Sequence, residues 1–371
     1  MKLSFWEYKS WLSNIDYTVV GSGIVGLNCA LSLRKKFPHA RILVLEKGVL
    51  PQGASTKNAG FACFGSISEI LADLKTHSEE EVFELVRLRW EGIILLRDLI
   101  GDKSMDFQQH GGHELFFGSD REHYELCMQE TEAINKLLYP IFRRAAFETI
   151  PNSFSFKQIH NHYLSNMQEG QLDTGKMMRS LLKKAHQNEI TILNSVAVTG
   201  FDQLNNGVAV QTNAFDFKTD KLLIATNGFA PQLLNVDMKP ARAQVLITKP
   251  IPDLHFHGTF HMDEGYFYFR NVENRVLLGG ARNLDPEGET TAAFGTTSVV
   301  QNRLEDLLRE VILGDIPFVI DQRWSGIMGM GEQKRPILKQ LEQDVFCGIR
   351  LGGMGIAIGS IIGKSLSNFI D

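Results

Sequence analysis

Cysteine is scarce and poorly placed for any covalent or metal framework. Cys29, Cys63, Cys127 and Cys347 are scattered through 371 residues and form no C-x-x-C pair, which argues against a disulfide scaffold and a cysteine zinc site. Long apolar runs are missing too. No stretch approaches the ~20 residues of a membrane span. The opening 14 residues carry Lys2, Glu7 and Lys9 without the apolar region of a secretory signal. A cytoplasmic location is therefore expected. Nor is there an excess of positive charge. Against 43 acidic residues stand 38 Lys and Arg, a formal charge of -5, leaving no basic field to release counterions from nucleic acid. Repeats, low-complexity tracts and long linkers are absent. What is there, 43% hydrophobic and 22% charged residues, has the balance of a globular chain long enough for two units.

Hydrophobic spacing divides that chain. Asp16-Tyr-Thr-Val-Val-Gly21 is a short β-branched run ending in glycine, as a buried parallel strand does. Ile24 to Phe37 has helical spacing and stops at Pro38, and Arg41 to Glu46 reads as a second buried strand. Together they make a βαβ unit of about 30 residues. Residues 68–100 read as helix, 113–117 as strand and 121–137 as helix. Gln171 to Gln187 is amphipathic, followed by strands at Ile190–Leu193 and Val196–Val198, a hairpin over 208–221 and the buried run Leu222 to Gly228. From 240 to 280 the pattern alternates, in Gln244–Thr248, Tyr266–Arg270 and Arg275–Leu278. A helix over 298–313 follows, then an apolar strand, a glycine cluster and a closing helix between Val345 and Phe369. Near the start, Leu3, Trp6 and Leu12 recur at helical spacing beside Phe5 and Trp11. With few flanking cations they suit a short helix packed on its own unit better than an interfacial anchor.

Gly21-Ser-Gly23-Ile24-Val-Gly26 fits G-x-G-x-x-G at a strand-to-helix junction. The first glycine allows the turn, the second lets a phosphate approach the backbone, and the third lets helix and strand pack closely. Free N–H groups at the helix start then hold the anion. Glu46, with Lys47 beside it, ends the second strand near the ~20-residue spacing expected of a ribose-binding acid. This unit alone leaves NAD and FAD both open. The loop Gln52 to Gly60, with Ser55, Thr56, Asn58 and Ala59, is small, polar and glycine-containing, suited to a longer cofactor.

Four segments, Asp16–Glu46, Gly53–Gly60, Leu222–Pro231 and Gly348–Gly355, together resemble the FAD-dependent oxidoreductases of the D-amino-acid oxidase superfamily, which includes glycine oxidase, sarcosine oxidase and γ-glutamylputrescine oxidase. The resemblance implies an α/β fold: a Rossmann-like FAD domain of the glutathione-reductase type with an inserted mixed-sheet α+β substrate domain. The expected division is 1–105, 165–235 and 320–371 for FAD, with 106–164 and 236–319 for substrate. It implies that Glu46 binds the ribose, that Val196 backs the adenine, that Ser55, Thr56, Asn58, Ala59 and Gly60 follow the diphosphate toward the flavin, and that Thr226, Asn227 and Gly228 also contact the cofactor. Gly352, Gly353, Met354 and Gly355 would close over the flavin ring, the next helix presenting its positive end to an electron-rich edge. Neither a histidine in the first glycine loop nor a cysteine before the C-terminal strand is present as a covalent anchor, so non-covalent FAD is expected.

The implied reaction oxidises a C–N bond of an amine or amino acid, with oxygen or a quinone as acceptor. Tyr266, Tyr268 and Arg270 alternate on one strand and are expected on one face, there to position substrate. Two departures stand out. Met328 occupies the place of a carboxylate-clamping arginine, for which Arg270, Arg282 or Arg350 could substitute. Leu277 stands where sarcosine-oxidase relatives carry an oxygen-activating lysine. His255, His257 and His261 lack the partners of a metal site, and no metal is expected. A nicotinamide-dependent dehydrogenase and a catalytically silent flavin-binding protein are the alternatives.

Overall fold

The computed structural model describes residues 3–371; Met1 and Lys2 lie outside the described residues, so the expectation involving Lys2 does not bear on the structure. The first sheet runs in the order Ile337–Glu342, Val345–Ile349, Asp216–Ile224, Ile15–Val20, Ile42–Leu45, Thr191–Leu193. The central pairings are parallel: Val19 opposite Leu223 and Val44, Leu222 opposite Val345. Both faces are covered, which is why these strands read as unbroken apolar runs. Val19, Val44, Leu223 and Phe346 point into a core shared with the helices Ile24–Lys36 and Gly355–Ser367. The alternate residues Leu43, Leu45, Leu222, Ile224 and Cys347 face the other side.

The second sheet runs Ile320–Met330, Lys239–Thr248, Arg275–Gly280, Phe267–Val272, Thr259–Met262, Gly112–Leu115, His162–Asn166, Glu148–Pro151. It is mixed, with Thr259–Met262 parallel to Gly112–Leu115 and its other pairings antiparallel. One face packs Leu246, Phe260, Phe269 and Leu278 under the helix Ser298–Leu307. The opposite face carries Val245, Tyr268 and Leu277 against Ala59 and Phe61 of the first unit. The loop at Ala59 and the second sheet thus share a wall.

We propose two units corresponding to these sheets, with two changes to the expected boundaries. Ile320–Met330 pairs along the whole of Lys239–Thr248 and goes with the second unit, as do residues 165 and 166.

Several local expectations are corrected. The helix expected over 68–100 is two, Ile67–Leu74 and Glu79–Ile100, because Ser66–Glu69 and Ser78–Glu81 each form a capping box and the second starts a new helix. Asp173 caps a helix that begins at Thr174, so 171–173 are outside it. Val196 precedes the strand Val198–Gln203. The segment 298–313 turns from α to π geometry at Leu308. Near the N-terminus only Leu12 of the singled-out residues is buried; Phe5, Trp6 and Trp11 stay exposed.

Candidate active site

A cleft of about 450 Å³ lies between the sheets, within the ~300–1,000 Å³ usual for ligand sites. The strand Ile15–Val20 ends at its rim in Gly21, whose φ of +104° excludes ordinary side chains. A Cβ on Gly26 would stand 1.8 Å from the Gly21 carbonyl oxygen, so only glycine lets helix and turn approach this closely. Gly23 starts the helix with no side-chain cap of its own; the Ser55 hydroxyl accepts from the Ile24 N–H at 3.0 Å. Glu46 is buried. One carboxylate oxygen accepts from the Ser22 N–H and hydroxyl, the other from the N–H groups of Gly48 and Gln52. These bonds hold its carboxylate on the cleft wall.

The other walls come from distant chain. Thr226, Asn227 and Val196 line the cleft, as do Lys47, Asn58, Ala59 and Gly60, and Gly352, Gly353, Met354 and Gly355 close its far side. The Thr226 hydroxyl is buried without a hydrogen-bond partner among the described residues, an unmet polar group in a site of this kind. Lys47 sets its ammonium 3.1 Å from the centre of the Phe229 ring, and burial draws its pKa down. The helix Gly355–Ser367 also lacks a side-chain cap, leaving its N-terminal N–H groups to the cleft. A cradle with a buried carboxylate, two helix starts whose N-cap residues supply no side-chain bond and an unmet hydroxyl fits a dinucleotide cofactor. Gly26, Thr56 and Gly228 are not on the wall. Thr56 donates to the Pro51 carbonyl, and Gly228 packs against the Met328 backbone, where a Cβ would come within 2.7 Å of the carbonyl oxygen.

Tyr266 and Tyr268 line the cleft on the side of the second sheet. Tyr266 lies just before the strand Phe267–Val272, after a turn with positive φ at Asp263, Glu264 and Gly265, so the expected single three-residue strand face is not formed. Burial pushes the Tyr268 hydroxyl up to about 12. Arg270 is elsewhere. Its guanidinium donates to the backbone carbonyls of Ala59, Leu172 and Asn271 beneath the cofactor loop, away from the cleft wall. Burial pulls it down to about 10, which leaves it charged at neutral pH. Arg350 is likewise consumed by the carbonyls of Arg335 and Asp237. Arg282 differs. It lines the cleft 5.4 Å from the Tyr266 ring, with no hydrogen bond or ion pair from its side chain among the described residues.

The structure adds Glu69, Glu264 and Lys334 to this wall, none singled out by sequence, and brings His261 there without His255 or His257. Glu69 was hidden as the third helical residue of a capping box, a role that fully explains it locally. No group of three metal-ligating side chains occurs among the described residues. No described helix is long and apolar enough to cross a membrane.

A family model, DAO, described as FAD dependent oxidoreductase, matches residues 16–368. No curated protein matches. Solved structures share the fold. L-proline dehydrogenase from P. horikoshii is 18% identical, with a TM-score of 0.77, over 96% of this chain and 93% of that one. Glycine oxidase from Geobacillus kaustophilus is 16% identical, TM-score 0.77, over 96% and 95%. Iminodiacetate oxidase from Chelativorans sp. BNC1 is 15% identical, TM-score 0.75, over 95% and 94%.

Proposed function

Because the chain belongs to the DAO family of FAD dependent oxidoreductases, we propose that it oxidises a C–N bond of a carboxylate-bearing amine or amino acid, with FAD held non-covalently. The family sets aside the nicotinamide alternative. When bound, FAD would supply the two-electron acceptor, so that a hydride can leave the carbon beside a neutral amine as the nitrogen lone pair closes the C=N bond, and water hydrolyses the resulting iminium to the carbonyl compound and an ammonium ion. The chain's own part is to orient that C–H bond and to exclude water.

In this reading Glu46 takes the ribose hydroxyls, the Gly21–Gly26 turn and Ser55 the diphosphate, and the N-terminus of Gly355–Ser367 the flavin edge that becomes electron-rich. Val196 backs the adenine. Tyr266 and Tyr268 wall the substrate, and Arg282 receives its carboxylate in place of the arginine that Met328 replaces. The observation that carries this is the unspent guanidinium of Arg282 in the cleft, while Arg270 and Arg350 are taken up by backbone carbonyls.

Leu277 supports a further point. It sits in an apolar patch with Ala59 and Val245, so no ammonium is available there to aid oxygen reduction, and a quinone is the preferred acceptor in this reading.

Anaerobic mixing of the holoenzyme with a panel of amines and amino acids tests the proposal. Flavin absorbance should bleach, and Arg282→Ala should raise the KM of carboxylate-bearing substrates at least tenfold with little change for plain amines. Silence across the whole panel would favour a flavin-binding protein without this activity. Heat or acid denaturation should release all of the FAD into solution; flavin remaining on the precipitated chain would refute non-covalent binding.

A further inference from the structure

The substrate half of the cleft has a second pole that the oxidation chemistry does not use. One carboxylate oxygen of Glu69 accepts from the Ser66 N–H at 2.9 Å and closes the helix cap. Its Oε1 has no hydrogen-bond partner among the described residues and lies beside Gly265, where a Cβ would come within 3.0 Å of it. His261, on the strand Thr259–Met262, is 7% exposed and forms part of the same wall. Its Nε2 is buried without a hydrogen-bond partner and stands 4.0 Å from Oε2 of buried Glu169. That gap is too wide for a hydrogen bond. Burial lowers the His261 pKa, so the ring is a neutral acceptor, and raises that of Glu169 to about 8. Besides Glu169, the carboxylates at this pole are those of Glu69 and, at the exposed rim, Glu264.

Two cations share this half of the cleft. Lys334 is paired with Asp73. Arg282 lies over Tyr266, and no ion pair joins it to Glu69. Neither Oε1 of Glu69 nor the Arg282 guanidinium has an ion-pair partner among the described residues, and both residues line the one cleft. A ligand carrying both charges satisfies both.

We infer that Glu69 and His261 form a subsite for a cationic group of the substrate distinct from the nitrogen that is oxidised. The preferred substrates are then amines or amino acids with a second, distal ammonium group. This rests on the amine-oxidation reading above. The ammonium donates to Glu69 Oε1 and to the His261 imidazole, while the carboxylate is held at Arg282.

The test uses holoenzyme and matched pairs: 1,6-diaminohexane against 1-aminohexane, and L-lysine against L-norleucine. Binding is followed by calorimetry and reaction by anaerobic flavin bleaching. The member with the second amine should bind at least tenfold more tightly and show the larger kcat/KM, the gain residing in KM. Glu69→Gln keeps the cap and should leave the thermal midpoint in place while collapsing that ratio towards one. His261→Gln should shrink it partly. Equal affinities within each pair in the parent enzyme, or a Glu69→Gln loss shared equally by both members, overturns the subsite. Bleaching with no preference leaves amine oxidation standing without the subsite. A preference in calorimetry without bleaching removes the oxidation reading and keeps the subsite, and an absence of both removes both.

Discussion

Replacing Arg270 by methionine should loosen the cofactor, not the substrate. The guanidinium holds the Ala59 carbonyl, at the end of the Ser55–Gly60 loop, and the Leu172 carbonyl, just before the helix Thr174–Gln187. Gly60 is fixed in the same knot: its φ is +79°, and a Cβ there would meet the Leu172 oxygen at 2.3 Å and the Arg270 guanidinium at 2.7 Å. A hydrogen bond to a charged group contributes about 1.5–3 kcal/mol, and a carbonyl left buried and unmet costs about 1–3 kcal/mol. Removing a buried cation that has no carboxylate partner returns part of its desolvation penalty. The net loss is therefore about 2–4 kcal/mol for two carbonyls. If the loop is ordered only when FAD is bound, the FAD dissociation constant rises by roughly 30- to 900-fold. Lysine offers no planar fork to reach both carbonyls at once, so Arg270→Lys should fall between. Flavin titration of the apoprotein, followed by fluorescence quenching, measures this directly. Unchanged FAD affinity together with a selective rise in substrate KM would refute the reasoning and return Arg270 to the substrate.

Further outcomes follow from the same geometry. Gly26→Ala should abolish FAD retention through the 1.8 Å clash with the Gly21 carbonyl, checked by the ratio of flavin to protein absorbance after gel filtration. Glu46→Ala should weaken FAD by about tenfold or more and also destabilise the apoprotein, because three N–H groups and one hydroxyl lose their acceptor; the same titration reads it. Stability should fall as pH rises from about 6.5 to 8. Burial raises Glu114 to about 7 and Glu169 to about 8, so the native state holds protons that the unfolded chain has released. The stability this gives is complete below the unfolded carboxyl pKa and is lost as pH passes the folded values, at up to about 1.4 kcal/mol per pH unit for each proton. His113, lowered to about 4 by burial, works in the opposite sense, but only between about 4 and 6.5. Thermal midpoints across pH should show the decline, and Glu169→Gln should flatten it. Finally, anaerobically reduced enzyme should reoxidise faster with a soluble quinone than with oxygen in stopped flow; equal or faster reoxidation by oxygen would remove the argument from Leu277.

The nucleotide half was legible because its chemistry is local. Gly21, Gly23 and Gly26 lie within one turn, and the parallel strands beside them are apolar on both faces, so the spacing alone specifies a strand, a turn and a helix start. The substrate half is assembled from contacts between distant segments. Tyr268 and Arg270 do share a face by strand period, yet that face meets the cofactor loop at Ala59 as well as the cleft. Only the tertiary packing separates one residue from the other. Glu69 shows the same limit: its spacing from Ser66 explains it as a cap, and nothing local reveals the second carboxylate oxygen facing Gly265. The break between the helices at 67–74 and 79–100 was readable from Ser78 and Glu81, but the apolar spacing runs through it and masks the new start.

The central strand Asp216–Ile224 has Ile15–Val20 on one side and Val345–Ile349 on the other. On a ribosome adding about 5–20 residues per second, the glycine turn emerges many seconds before the strand that completes its sheet and the Leu351–Ile356 wall that closes its cleft. Until then Leu222 to Ile224 present an unpaired apolar edge, the kind of surface that invites misassembly. Closure of the cleft is thus a late event in the synthesis of this chain, because the strand Val345–Ile349 and the wall after it come from the last residues to emerge.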